Sequence, residues 1–431
     1  MIKRLFSFLL VLPLLLAACS DGDSFTTDPS HRLLFTADTV RMDTLFATIP
    51  SSTYSFWVHN ESGSGLRLRS VRLERGGQSG FRVNVDGSFL NPVVNNLEVR
   101  DGDSLRVFVE ITAPQQSSPD PQLVEDNLLF TLESGVEQRV NLRTYSWNAL
   151  QWHDVSVSSD LVLQSALPIV VYGGITVQPG ATLTVKNTTL YFHDGAGITV
   201  HGALLADSTL FRGDRLDHMF DYLPYDRISG QWQGISVRPL AAGIQLTDCE
   251  LRNAHDALLA DSTTVILSGC TVHNSKGSGL WARDSRVALS NTTVSNSLKD
   301  CVALLGCQSL LDHLTLAQFY PLSANRGAAL RFEPSQQAFT LTCTNTLVTG
   351  YADDVILGQV DPNSSYTFTN CLLRTPKPDD TAPFRDILWE QKTDTLQGTQ
   401  HFQLVDDYNM LYDFRLKPES PAYEKNIGRQ Q

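Results

Sequence analysis

Through the second half of the chain, short apolar-x-apolar runs each follow a small turn-forming residue. The turn residues are Asn187, Asp207, Asp248, Gly269, Asn291, His313, Asn345 and Asn370. The runs read N-T-T-L, D-S-T-L, D-C-E-L, G-C-T-V, N-T-T-V, H-L-T-L, N-T-L-V and N-C-L-L. Successive spacings are 20, 41, 21, 22, 22, 32 and 25 residues, a unit of about 21 with two enlarged copies. Asn, Asp and Gly tolerate the left-handed backbone that a sharp corner requires. A corner recurring at this period, each time followed by a strand, predicts coils stacked on one another.

Two further columns agree. Ahead of each corner lie Val185, Leu205, Leu246, Leu267, Leu289, Leu311, Cys343 and Phe368. Beyond it a second strand recurs as Ile175-x-Val177, Ile198-x-Val200, Ile235-x-Val237, Leu258-x-Ala260, Leu280-x-Ala282, Val302-x-Leu304 and Leu330-x-Phe332. Alternation of period two marks strands with one buried face, and helical periodicity is absent. On these columns residues 150–428 resemble the right-handed parallel β-helix repeat family. The closing Asp413-Phe414-Arg415-Leu416-Lys417-Pro418-Glu419-Ser420-Pro421-Ala422 is similar to the D-x-R-L-x-x-x-S-P-A tail where such helices often finish.

The N-terminal third has a different pattern. Alternating runs at 54–58, 66–73, 81–85, 105–111, 128–132 and 136–142 are separated by Gly, Asn, Asp and Ser clusters, and 114–122 reads as a polar loop. Some seven short strands predict a β-sandwich over residues 31–146. Asp43-Thr44-Leu45-Phe46 and Ser55-Phe56-Trp57-Val58-His59-Asn60 resemble the Ig-like domains of bacterial surface lipoproteins, without their usual cysteine pair. The fold class expected is all-β: an Ig-like sandwich, read as a spacer, followed by a right-handed parallel β-helix.

Residues 1–18 read as a signal peptide, with Lys3 and Arg4 ahead of a 5–16 apolar run too short to span a membrane comfortably. Leu16-Ala17-Ala18-Cys19 resembles a lipobox, which implies cleavage before Cys19 and lipidation of its thiol. Ser20-Asp21-Gly22-Asp23-Ser24 resembles the acidic export signal of Bacteroidota surface lipoproteins. Together they imply an outer-membrane anchor facing the cell exterior, with 19–30 as tether.

Charge narrows the partners. The formal charge is −13, or −15 once Lys3 and Arg4 are gone, and no Lys/Arg cluster marks a nucleic-acid surface. Six cysteines besides Cys19 show no zinc-ligand spacing. Cys249, Cys270, Cys343 and Cys371 fall in inward columns; Cys249/Cys270 and Cys301/Cys307 are the conceivable pairs, with free thiols the favoured reading. No metal or other cofactor is expected. Nucleophile elbow, phosphate loop, metalloprotease and dinucleotide motifs are all absent.

The outward strand positions offer little chemistry. They are Thr176, Thr199, Ser236, Leu259, Trp281, Ala303 and Arg331 on one strand, and Thr189, Thr209, Glu250, Thr271, Thr293, Thr315, Leu347 and Leu372 on the other. The two enlarged coils, 211–231 and 319–326, leave the same corner four coils apart. They carry Tyr222, Tyr225 and Tyr320 with Arg212, Asp214, Asp217 and His218, and Trp281 stands outward between them. Two loop walls and an aromatic floor would form a cleft suited to a sugar ring, unless the larger loop folds down over Trp281. The expected role is therefore non-catalytic binding of glycan or of a surface protein. The alternatives are a polysaccharide lyase or hydrolase acting through 211–231, and a structural component of a surface assembly.

Overall fold

The computed structural model describes residues 24–217 and 224–430, in two compact units divided between Trp147 and Asn148. Cys19 lies outside the described residues. No helix among those described is long and apolar enough to cross a membrane.

The first unit is a β-sandwich. One sheet pairs Tyr54–His59 with Ser104–Ile111, and the latter with Phe81–Val85, all antiparallel. The other is built on the long hairpin Gln122–Leu132/Glu137–Trp147, flanked by Leu66–Leu73. Alternate residues of both sheets meet in one core, where Phe56, Val58, Leu68, Val107 and Phe130 are buried. The strand Val93–Val99 escapes its sequence pattern because Asn95 and Asn96 interrupt the alternation.

The second unit is a parallel β-helix with three strands to a coil. Thr264–Ser268, Thr271–Ser275 and Leu280–Arg283 form one coil. Strands of the first kind stack into a ten-stranded parallel sheet, and the other two kinds share an eighteen-stranded one. Equivalent residues sit directly over one another: Leu246 pairs with Leu267 and Leu267 with Leu289, while Leu258 pairs with Leu280 and Leu280 with Val302. Each side chain thus packs against its own equivalents above and below, burying one continuous core. A buried Leu or Val contributes about 1.5–3 kcal/mol, but only when both neighbouring coils are present.

The corners follow the expected column with one correction. Asn187, Asp248, Gly269, Asn291, His313, Asn345 and Asn370 all have φ between 46° and 67°. In the second coil, however, Ser208 takes the corner, with φ 50°, rather than Asp207. The two strands flanking this corner are displaced by one residue, while the Ile198-x-Val200 and Ile235-x-Val237 strands keep the expected register. Ala206 pairs with Leu246 while Leu205 is exposed, and Leu210 rather than Thr209 pairs with Glu250 on the outer face. Thr209 points inward and is buried. Both Asp and Ser suit a corner, and the greater apolarity of Leu205 over Ala206 favoured the wrong alternation.

The residue after every corner but His313, where Leu314 follows, is Thr or Cys, for a reason the columns alone did not supply. Thr188, Thr292 and Thr346 donate their hydroxyls back to the carbonyls of Lys186, Ser290 and Thr344 at 2.7–2.8 Å. Cys249, Cys270 and Cys371 make the equivalent thiol contacts. A buried hydroxyl without a partner would be costly, and this back-bond removes the cost. All six cysteines described are free and buried. Burial pushes the Cys307 and Cys301 thiols up to about 11 and about 12.

A second corner column is Asn253, Asn274 and Asn296, with φ of 61°, 62° and 52°. It begins the turn into the third strand of these three coils; Asn253 and Asn274 support the larger loop, and Asn296 accepts the Phe319 N–H of the smaller one.

The C-terminal segment does not continue the stack; it folds back over the outer face of the corner strands. A hairpin of Phe402–Asp406 and Leu411–Leu416 is followed by a short helix, Pro421–Glu424. Phe402, Leu416, Ala422 and Ile427 pack on outward Ala317, Leu347 and Leu372 in a second apolar cluster. The last residues then run along the corners: Gly428 N–H donates to Asn345 O, Arg429 N–H to Thr315 Oγ1, and Gln430 N–H to Asn291 Oδ1. Outward Thr293, Thr315 and Leu347 are therefore buried.

Candidate functional site

A cleft of about 750 Å³ opens between the β-helix face and this folded-back segment. Its floor is the outer face of three consecutive corner strands, Glu250–Arg252, Thr271–Ser275 and Thr293–Ser297. Alternation presents Glu250 and Arg252 from the first, Thr271 and His273 from the second, and Thr293 and Ser295 from the third. Parallel pairing then stacks Arg252, His273 and Ser295 in one row.

One wall is the turn at Asp226 and Arg227 in the larger loop. Asn253 Nδ2 donates to Asp226 O at 2.7 Å and Asn274 Nδ2 to Arg227 O at 2.6 Å, so the second corner column fixes this wall to the coils. The facing wall is the strand Leu411–Leu416, where Tyr412 and Phe414 stack with ring centroids 5.7 Å apart. Arg227 reaches across to donate to Asn409 O at 2.9 Å. Arg429 and Gln430 close the end.

His273 sits at the centre. Its Nδ1 is 2.9 Å from Ser295 Oγ, and its ring lies 5.2 Å from Tyr412 and 6.0 Å from Phe414. Burial, with the charge of Arg252 assisting, pushes its pKa down to about 3. The imidazole is neutral at any physiological pH, and serves as a hydrogen-bonding group rather than a cation.

Most of the charge lining the cleft is satisfied internally. Arg252 contacts Glu250 at 2.8 Å, Arg227 Nε lies 3.7 Å from Asp226, and Arg415 Nε donates to Asp413 at 2.9 Å. Hydrogen bonds from Arg415 hold the Asp413 carboxyl below its usual range. Hydrolysis of a glycosidic bond needs one carboxyl that stays protonated near neutrality. Asp413 is pushed the opposite way and is not poised as that acid.

The residues singled out from sequence lie elsewhere. Arg212 is buried and donates to the carbonyls of Gly213 and Arg215, locking the base of the loop. Asp214 accepts from or shares a proton with His193 Nδ1 at 2.7 Å, and burial raises its pKa. Asp217 pairs with Arg215 at 2.6 Å, whose guanidinium lies 4.2 Å above the Tyr225 ring. Tyr320 is buried with its hydroxyl 2.9 Å from Ser229 Oγ, so the two enlarged coils touch instead of standing apart as walls. Trp281 is partly buried between Leu259 and Ala303, with Arg283 5.7 Å from its ring, and does not line the cleft. His218 and Tyr222 fall outside the described residues.

One constellation resembles catalytic machinery and is structural. Ser420 Oγ lies 2.8 Å from His401 Nδ1, and His401 Nε2 lies 3.3 Å from Glu390 Oε2. All three are buried, so no substrate reaches the hydroxyl. The ring is also reversed relative to a hydrolase triad, in which the acid meets Nδ1 and the nucleophile Nε2. Ser420 instead accepts the Ala422 N–H as N-cap of the short helix, with Pro421 following. Glu390 also accepts from Arg374, Gly398 N–H and Thr349. The S-P-A ending thus pins the returning segment to the β-helix.

Among comparisons with known proteins, one family model bears on the architecture. A family described as "Right handed beta helix region" matches residues 233–374. No curated protein sequence matches the chain. Among solved structures, it is similar to a family 123 glycoside hydrolase from Clostridium perfringens, at 7% identity over 27% of this chain and 26% of that one, TM-score 0.19. This chain therefore spans about a quarter of that enzyme's length. It is also similar to the N-terminal domain of PorA, at 16% identity over 27% and 97% of the two chains, TM-score 0.20. A third is the catalytic unit of a thermostable GH87 alpha-1,3-glucanase from Streptomyces thermodiastaticus strain HF3-3, at 12% identity over 78% and 89%, TM-score 0.24. Likeness at this level says nothing about activity. The protein is all-β, a β-sandwich followed by a right-handed parallel β-helix.

Proposed function

We propose that this protein is a lipid-anchored, outward-facing outer-membrane protein that binds glycan without cleaving it, through the cleft centred on His273. The observation that carries the reading is the cleft itself. A preformed concavity holds a neutral imidazole, hydroxyl and amide groups and two stacked aromatic rings, with its charges largely paired. Sugar recognition uses this combination: directional hydrogen bonds from fixed polar groups beside an aromatic surface. The sandwich acts as the spacer between lipid and β-helix. Surface exposure rests on the Cys19 lipobox and the acidic residues that follow it.

Affinity electrophoresis of the purified full chain through gels containing soluble polysaccharides tests the binding. Retardation in at least one polymer, lost in His273→Ala and kept in Trp281→Ala, is the expected outcome. Retardation that Trp281→Ala abolishes and His273→Ala leaves intact would transfer the site to the third-strand face. Shortening of the polymer would replace binding by catalysis.

A further inference from the structure

Gly269 is the only glycine in the first corner column, and its surroundings explain why. The carboxylate of Asp248, the corner one coil earlier, lies against its Cα, where a Cβ would collide with Oδ1. From the other side Arg429 donates to Gly269 O at 2.7 Å and to Thr271 Oγ1 at 2.5 Å. The missing side chain makes room for the acidic group, and the basic group reaches the carbonyl of the same residue, so both line the cleft beside Gly269.

Both groups have spare hydrogen-bonding capacity. Among the described residues, the Asp248 carboxylate has no hydrogen-bond or ion-pair partner, and Arg429 has no carboxylate within ion-pair distance. The guanidinium carries five N–H donors and two are engaged. The other three arginines in the cleft each face an acidic side chain. One acceptor and one donor array, opposite in charge and set around a glycine, suit adjacent hydroxyls of an uncharged sugar: Asp248 accepts and Arg429 donates.

Resting on the glycan-binding reading above, we infer that the ligand is a neutral glycan, with Asp248 and Arg429 as its specificity-determining pair. A polyanionic chain would meet one guanidinium beside an unpaired carboxylate, on a protein of formal charge −13. Short-range attraction is then cancelled locally, and the long-range field is repulsive.

The test compares retardation of the full chain in neutral polymers (dextran, laminarin, xyloglucan) with that in polyanionic ones (alginate, polygalacturonate, chondroitin sulfate). Binding to a neutral polymer, unchanged between 50 and 300 mM NaCl and weakened about tenfold or more by Asp248→Ala and by Arg429→Gln, is expected. Asp248→Asn, which keeps an acceptor oxygen, should retain part of the affinity. Preferential, salt-sensitive binding to polyanions would overturn the neutral-ligand inference while leaving glycan binding intact. Retardation in no polymer would overturn both. Unaltered thermal melting of each variant separates loss of binding from loss of fold.

Discussion

Arg429 donates to the carbonyl of Gly269, 160 residues earlier in the chain, at 2.7 Å. That contact joins the end of the returning segment to the middle of the β-helix, and it makes the cleft a tertiary construction. The floor belongs to the repeats, whereas one wall and the closing end belong to residues 410–430.

Detaching the strap should open the site. Ile427 is fully buried against the outward face of the last coils, and its replacement by Ala is expected to cost about 2–5 kcal/mol locally. Glycan binding should fall while the coils stay folded. Proteolysis would show this, with early cleavage after about residue 417 and a protected core in Ile427→Ala.

The buried Glu390 should make the latch acid-sensitive. Burial alone would raise its carboxyl, but hydrogen bonds from His401 and Arg374 outweigh this and hold it below the usual range. A depressed carboxyl stabilises the fold fully above its unfolded value of about 4.3. That stabilisation is lost as pH falls through the lower folded value. Urea midpoints measured from pH 7 to pH 3 should decline more steeply for the native chain than for Glu390→Gln, which starts lower by about 3–5 kcal/mol.

His273 should behave as a neutral group. With its pKa pushed down to about 3, its ring resonances are expected to stay flat between pH 5 and pH 8 in a histidine NMR titration. A midpoint near 6.5 would mean that the half-buried ring is not desolvated enough to stay neutral and that the cleft carries an additional charge.

The displaced corner offers a direct check on register. Ser208, at φ 50°, sits where L side chains are strained, and Asp207 does not. Ser208→Gly should be neutral or stabilising by up to about 1 kcal/mol, while Asp207→Gly should be destabilising by about 0.5–1 kcal/mol. Paired thermal melts of the two variants decide the register.

These outcomes reflect what a sequence exposes. A coil repeats its own pattern, so Leu246, Leu267 and Leu289 announce their column, as do Asn291, Asn345 and Asn370. The pattern failed at 205–210, where Asp-Ser offers two corners and Leu-Ala two alternations. Arg252 and His273 are legible in principle, as the second outward positions on strands whose first are Glu250 and Thr271. Their partners Tyr412, Asp413 and Arg429 are not, because they come from a segment without repeats that returns across five coils. The closing motif was recognised as an ending; its Ser420 proves to be a cap pinned by His401.

Hydrogen–deuterium exchange of the full chain, with and without a polysaccharide that retards it, tests the central claim most directly. The account predicts slowed exchange in peptides covering 250–252, 271–275, 411–416 and 424–430, with 280–283 unchanged. Protection confined to 280–283 and the 211–217 loop, or no protection by any retarding polymer, would contradict it.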